Sequence, residues 1–463
     1  MTTRRRTAAL AFAALPGAVA QAVAQTPLGA EDSLLAAAIY EKMVEIPSVS
    51  GSEPSQTILS VTADRLREAG ISTEIAGPDS AQVLVARLEG SGERSPLLLL
   101  AHLDVVPALR EDWSTDPFTL VEEDGWWYGR GTEDNKAGAA ILVTNLIRAK
   151  RDGFVPDRDW IVALTSDEET NSDGIQWLVT EGRDLIGDPE LALNTDAGGG
   201  IVQDGRDVMF EVQGSEKVYL TFMLEVTDDG GHSSRPTEDN AIDALARGLV
   251  RLAEYRFPVT LNEITQGYFG RTSAFQDEAV RADMRAVAAD PPDSAAAARL
   301  SESPFYNALL RTTCTATRLE AGHADNALPQ TARATVNCRI LPGEPIDAVE
   351  STLNEVAADP RIRISRKREP TESPPSPLTP EVMEPIAAIA EEMWPGVAIV
   401  PEMSTGATDG LYVRNAGIPV YGAGAIFGDP GDARAHGRDE RVAVTRFYEA
   451  LEFWNRLVRR LSR

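Results

Sequence analysis

Two histidines and four carboxylates, His102, Asp134, Glu168, Glu169, Asp196 and His436, are the side chains of this sequence best suited to hold metal ions and move a proton. His102 follows the apolar run Leu97–Ala101, Glu168 and Glu169 follow the run Trp160–Leu164, and Asp196 follows Leu191–Leu193. Open α/β sheets bind ligands outside the carboxyl ends of their strands, so these runs deliver imidazole and carboxylate to one rim. Asp134, after Gly131, opens the next helical segment and approaches the same rim. Imidazole and carboxylate are good ligands for Zn²⁺. Two ions about 3.5–4 Å apart need a carboxylate that touches both. Both side chains of a Glu-Glu pair cannot readily bind one metal, which leaves one free to act as general base. Taken singly, a His-x-Asp or a Glu-Glu pair is ordinary structure or surface; the joint placement at strand ends is the signal.

The elements that must position these groups follow from periodicity. Short apolar strands alternate with helical patterns over Lys136–Lys150 and Ile175–Glu181, which predicts an α/β layer with a mostly parallel sheet. From Lys217 to Val226 the apolar residues alternate strictly, and a helix over Asn240–Glu254 follows a Gly/His/Ser/Pro loop. Strands near Thr312–Glu320, Thr331–Ile340 and Ile362–Arg366, with a helix over Ile346–Ala357, complete a separate α+β unit. The stretch from Phe257 to Pro304, rich in Ala and Asp, shows no pattern that assigns it. After the proline-rich linker Pro370–Pro380 the α/β pattern resumes with helices over Glu381–Met393 and Thr445–Leu461 and a strand near Ala398–Val400. The smaller unit, residues 214–370, is thus expected to be inserted between catalytic segments 25–213 and 371–463.

The 463 residues are 43% hydrophobic and 25% charged, with a formal net charge of -27. Such acidity repels phosphate backbones and anionic lipid, so nucleic-acid and membrane-surface partners are not expected. Arg4, Arg5 and Arg6 precede an apolar run from Thr7 to Ala20, and small residues at Ala18, Ala20, Ala22 and Ala24 offer cleavage patterns. This is the order of a secretory signal over residues 1–24, predicting an exported, periplasmic or extracellular protein. The run is too short to span a bilayer, and no later segment is apolar enough. The two cysteines, Cys314 and Cys338, each lie 12 residues from Asn326 in a predicted hairpin. Equidistant residues face one another across an antiparallel pair, so a bridge and two half-buried free thiols are both open.

Five segments, His102-Leu-Asp104, Gly129-Arg-Gly-Thr-Glu-Asp134-Asn-Lys136, Asp167-Glu168-Glu169, Asn194-Thr-Asp196 and Ala435-His436-Gly437, resemble the di-zinc metallopeptidase family of glutamate carboxypeptidase, carboxypeptidase S, aminoacylase, succinyl-diaminopimelate desuccinylase and acetylornithine deacetylase. The resemblance covers nearly the whole chain after the signal and implies two Zn²⁺ per chain, with Co²⁺ or Mn²⁺ as substitutes. Asp134 would bridge the ions, with His102 and Asp196 completing one site and Glu169 and His436 the other. Glu168 would be the general base, and Asp104 would hydrogen-bond the His102 ring. The inserted unit would be a lid and dimerisation domain. His232 in Gly-His-Ser-Ser-Arg-Pro matches the lid histidine that steadies the oxyanion, often from a partner subunit. Arg339 matches the position that grips the substrate carboxylate, and Asn326 and Gly406 match further substrate contacts. The fourth histidine, His323, reads as a loop residue. The chain departs from the family at Gly437-Arg438-Asp439-Glu440, where Gly-Pro-Asn-Glu is usual, and the Phe257–Pro304 insertion would enlarge the lid.

The resulting expectation is cleavage of a peptide or N-acyl amide bond in a substrate with a free carboxylate. An aminopeptidase with the same metal set is the nearest rival, and a catalytically silent periplasmic binding protein a more distant one. Condensation of an acyl group with an amino acid would be the same chemistry reversed.

Overall fold

The computed structural model describes residues 28–463; the predicted signal, residues 1–24, lies outside them. The chain opens with helices α1 (Ala30–Val44) and α2 (Glu53–Glu68), then strands β1 (Ser72–Ala76), β2 (Val83–Leu88) and β3 (Leu97–His102). Strands β4 (Val121–Glu123) and β5 (Trp126–Tyr128), helix α3 (Lys136–Arg151), β6 (Trp160–Thr165), α4 (Asp173–Val179), β7 (Leu191–Asn194), β8 (Gly199–Gln203) and β9 (Arg206–Glu216) follow. Strands β3 and β6 are buried at every residue, which is why they read as continuous apolar runs rather than alternating ones.

The chain then builds a second sheet from β10 (Val218–Thr227), with β11 (Gly231–His232) and helix α5 (Ala241–Glu254). Next come helices α6 (Glu263–Thr272), α7 (Glu278–Val287), α8 (Ser294–Leu300) and α9 (Pro304–Leu310). Strands β12 (Thr313–Ala321), β14 (Thr331–Ile340) and β15 (Arg363–Arg366) with helix α10 (Ile346–Ala357) complete it, while β11 and β13 (Ala327–Leu328) pair as a separate two-stranded sheet. The antiparallel order of the four-stranded sheet is β12-β14-β10-β15. On β10, Val218, Leu220, Phe222, Leu224 and Val226 point into a core shared with α5 and α10, leaving the other face of the sheet free of helices. Cys314 and Cys338 face each other directly in the β12–β14 ladder and are joined by a disulfide.

The unassigned stretch after Phe257 is four short helices. Asn262, Asp277, Asp293 and Ser303 each cap one of them by accepting a backbone N–H. These helices do not enlarge the four-stranded sheet. Ile264, Phe269, Met284 and Leu300 pack with Met209 of β9 and, further on, with Val400 and Met403, against the edge of the large sheet.

The last segment supplies α11 (Pro380–Met393), β16 (Ala398–Ser404), α12 (Gly410–Asn415), β17 (Val420–Gly422), β18 (Phe427–Gly428), β19 (Arg441–Ala443) and α13 (Val444–Arg460). The ten-stranded sheet runs β1-β2-β6-β3-β7-β17-β9-β8-β18, with β16 also paired to β9. It is parallel through its centre, from β6 to β17. Residues of α1, α3, α11 and α13 bury one face, and α4 and α12 the other. This is a mixed α/β architecture with a large, mostly parallel central sheet.

Candidate metal centre and active site

The structure gathers the acidic and histidine side chains at the carboxyl ends of β3, β6 and β7. His102 is the last residue of β3, Asp196 lies two residues past β7, and Glu168 and Glu169 lie just past β6. Asp134 precedes α3 rather than opening it, since the helix begins at Lys136. A Cβ at Gly138 would collide with the Thr195 hydroxyl, so this glycine lets α3 start directly against the Asp196 loop.

Two groups result, and they share one carboxylate. His102, Asp134 and Asp196 form the first and Asp134, Glu169 and His436 the second, each with its donor atoms within 4.8 Å of one another. The His102 Nε2 lies 2.8 Å from Asp134 Oδ1, and the His436 Nε2 lies 3.1 Å from Asp134 Oδ2. Asp134 therefore presents one oxygen to each imidazole. Asp196 Oδ1 is 3.5 Å from the same His102 nitrogen, and a Glu169 oxygen is 2.9 Å from His436.

The electrostatics of these groups fit a cation. Burial, then repulsion from Asp134, pushes Glu169 up to about 7, and burial raises Asp196 to about 6. Glu168 is also pushed well up, by burial first, although His102 opposes this. Burial alone would depress His102, but Asp196, Asp104 and Asp134 raise it well above its ordinary range. His436 rises to about 9, chiefly through its hydrogen bond to Asp134. Asp134 goes the other way: burial would raise it, but its hydrogen bonds to His102 and His436 hold it well below the ordinary carboxylate range. Crowded carboxylates around an ionised one, beside two imidazoles, are the donor set two divalent ions would satisfy. His102, Asp134 and Asp196 would hold one ion, and Asp134, Glu169 and His436 the other.

The surrounding shell fixes this arrangement. His102 Nδ1 is 3.0 Å from the Asp104 main-chain carbonyl, whereas the Asp104 carboxylate is 3.6 Å away. The expected hydrogen bond between Asp104 and the His102 ring is thus made by the Asp104 main-chain carbonyl. The Asp104 carboxylate instead accepts the backbone N–H groups of Glu168 and Glu169, at 3.1 and 3.0 Å, and the Ser50 hydroxyl. Asp196 is tied back through Asn194, whose side chain reaches Thr408, whose backbone N–H meets Glu216 at 2.6 Å. Glu216 is fully buried and ion-paired to Arg414.

The four remaining predicted residues fall into two pairs, and none contacts the shared carboxylates. His232 is exposed on β11, which pairs with β13 so that Ser233 donates its N–H to the Asn326 carbonyl. Arg339 on β14 reaches the Thr405 carbonyl at 3.4 Å, beside Gly406. His323 lies exposed between β12 and β13. A cleft of about 710 Å³ runs from Asp134 and Asp196 past Gly198–Gly200 to Phe427, Arg441 and Arg446.

Sequence reasoning assigned no role to Glu440, although the residue stands in the departing segment. Its fully buried carboxylate accepts the N–H groups of Gly131, Glu133 and Asp134 and pairs with Arg130. Asp409, bonded to the Thr165 hydroxyl at 2.5 Å, is a second buried carboxylate under the site. Glu440 matches the glutamate of the Gly-Pro-Asn-Glu segment, and that match was the available signal.

The chain is 29% identical over 372 residues to human N-fatty-acyl-amino acid synthase/hydrolase PM20D1, covering 77% of this chain and 72% of the relative. It is 27% identical over 442 residues to a succinyl-diaminopimelate desuccinylase of Dinoroseobacter shibae, covering 91% and 98%. The fold is similar to that of the M20 family metallo-carboxypeptidase Sso-CP2 from Sulfolobus solfataricus, with TM-score 0.66 and 17% identity over 92% of this chain and 99% of that one. Human carnosine dipeptidase 1 has TM-score 0.62 and 15% identity over 93% and 97%. The sequence profile described as Peptidase family M20/M25/M40 matches residues 98–460, and the chain belongs to that family of metallo-amidohydrolases.

Proposed function

We propose that this protein is an exported di-zinc hydrolase that cleaves the amide bond of peptides or N-acyl amino acids bearing a free carboxylate. The observation that carries the reading is Asp134, whose two oxygens face two different imidazoles. The ions, when bound, would polarise the amide carbonyl and make water acidic enough to attack near neutral pH. Glu168 takes the proton of the attacking water and delivers it to the nitrogen as the C–N bond breaks, so the products are a carboxylic acid and an amine. Arg339 pairs with the substrate carboxylate and sets the orientation of the scissile bond. His232, at the exposed tip of the inserted unit 214–370, steadies the developing oxyanion once that unit closes as a lid, within one chain or across a homodimer.

The names of the relatives support both substrate classes: one is an N-fatty-acyl-amino acid synthase/hydrolase and another a probable carboxypeptidase S-like protein of Dictyostelium discoideum. Export rests on the predicted signal over residues 1–24. No helix among the described residues is long and apolar enough to cross a membrane.

The test is amine release by the zinc-loaded protein from dipeptides and N-acyl amino acids, each beside its C-terminal amide. Cleavage of the free acids alone supports the reading. Equal cleavage of the amides removes the carboxylate requirement and favours an aminopeptidase-like enzyme. Cleavage of neither points to a silent binding protein.

A further inference from the structure

Tyr219 lies on the helix-free face of the four-stranded sheet, directly opposite Arg339 in the β10–β14 ladder. The Arg339 guanidinium carbon is 4.7 Å from the Tyr219 ring centroid, and that of Arg368 is 4.9 Å from it. Arg368 is exposed two residues past β15, where the chain leaves the sheet. The two cations therefore stand at most about 10 Å apart, held to one ring by cation–π attraction.

Neither cation is ion-paired to a carboxylate among the described residues; Arg339 has only the long bond to Thr405, and Arg368 has no hydrogen bond. The chain carries 71 acidic against 44 basic residues, and neighbouring arginines are all satisfied. Arg333 and Arg363 share Glu225, and Arg366 engages Asp347 and Glu350. Lys217 is buried, and its ammonium donates to the Arg311 carbonyl rather than to a carboxylate. Like charges left together without a counter-ion cost free energy that an incoming anion recovers. The place is tied to the chemistry: Arg339 reaches the Thr405 carbonyl, three residues before Thr408, whose hydroxyl accepts the Asn194 side chain that holds the Asp196 backbone.

We propose that Arg368 is a specificity-determining residue that, with Arg339 around Tyr219, forms a two-cation receptor for a leaving amino acid with an acidic side chain. The proposal rests on the reading that Arg339 takes the substrate carboxylate; Arg368 takes the second one. The two carboxylates of a glutamyl or aspartyl group are only a few carbons apart, within the span of the two guanidinium groups.

The test is calorimetric binding of L-glutamate and L-glutamine, which differ only in side-chain charge and cannot be turned over, to the zinc-loaded full chain. The wild type should prefer glutamate by about tenfold, the worth of one charge-assisted contact. Arg368→Met should bring the two within about twofold while leaving glutamine binding unchanged, and Arg339→Met should weaken both. A wild type without the preference, or an Arg368→Met protein that keeps it or loses both ligands equally, overturns the proposal. A glutamate preference without hydrolysis of N-acetyl-glutamate would leave Arg368 in its role and remove the hydrolase reading. Hydrolysis with no charge preference would do the reverse.

Discussion

Glu440 and Asp134 stand 306 positions apart in the sequence, yet the carboxylate of the first accepts the backbone N–H of the second at 3.1 Å. The same carboxylate holds Glu133 at 2.7 Å and Gly131 at 3.0 Å, and Arg130 balances its charge. Glu440 also follows His436 by one short turn, in which His436 and Asp439 adopt left-handed φ values of 62° and 54°. One buried side chain thus fixes the carboxylate common to both groups of ligands to the turn that carries the last histidine.

Replacing it should loosen the centre without unfolding the protein. Glu440→Gln, which keeps an acceptor but discards the pairing with Arg130, should weaken zinc affinity by about 10- to 100-fold. Chelator competition measures this, with circular dichroism to confirm the fold. Unchanged affinity would show that Asp134 needs no such support.

Glu168 and Glu169 are adjacent but face different tasks, so their variants should separate. Glu168→Gln should keep bound zinc and lose about a hundred- to ten-thousandfold in kcat. Glu169→Gln should lose zinc. Metal content by elemental analysis beside turnover distinguishes them, and a near-normal rate in Glu168→Gln would remove it as the base.

Arg339→Met should lower kcat/KM for free-acid substrates by about a hundredfold, as loss of a charge-assisted bidentate contact implies. Any residual activity on the C-terminal amides should stay as it is. A loss common to both would mean that Arg339 supports the sheet rather than the substrate.

Stability should depend on pH through Glu402 on β16. Burial first, then Glu211 and Glu216, push its carboxyl up to about 8, with Arg414 opposing. A carboxyl raised in the folded state binds more protons than the unfolded chain does, so stability falls as pH rises from the ordinary carboxylate range to about 8. Glu402→Gln should therefore raise Tm at pH 8.5 relative to the wild type and change it little at pH 4.5. Equal shifts at both pH values would assign the effect to packing.

Unreduced protein should titrate no thiols, because Cys314 and Cys338 are bridged. The bridge spans a sequence separation of 24, and closing a loop of that length is worth about 3 kcal/mol. The Cys314→Ser, Cys338→Ser double variant should melt measurably lower while keeping its zinc.

Part of the metal centre could be read from strand pattern, because His102, Glu168, Glu169 and Asp196 stand at or just past the ends of strands buried on both faces, whereas the roles of Asp134 and His436 came from the resemblance. Runs such as Leu97–Ala101 and Trp160–Leu164 announce themselves by composition, and the residue after each run is then located by topology. The Phe257–Pro304 stretch resisted reading for the opposite reason. Its helices are only seven to ten residues long, so periodicity has little room to show. Their caps at Asn262, Asp277, Asp293 and Ser303 were the available signal. Glu440 stood in view as the matching glutamate of the Gly-Pro-Asn-Glu position, but its role was not legible, since a carboxylate that caps distant backbone groups has no local pattern. That Asp104 meets His102 through its main-chain carbonyl rather than its carboxylate likewise depends on loop geometry below the resolution of a motif.

Strand β17 lies in the middle of the large sheet, between β7 and β9, although it comes from the last tenth of the chain. During synthesis every other strand of that sheet except β18 is made first, and the central gap stays open until Val420–Gly422 emerges. His436 follows later still. A growing chain therefore has neither a continuous sheet nor its complete set of ligands, and both are finished by the same final stretch of polypeptide. Closure of the sheet by Val420–Gly422 thus precedes in the chain the arrival of His436, so the seam beside β7 is filled before the second group of ligands is complete.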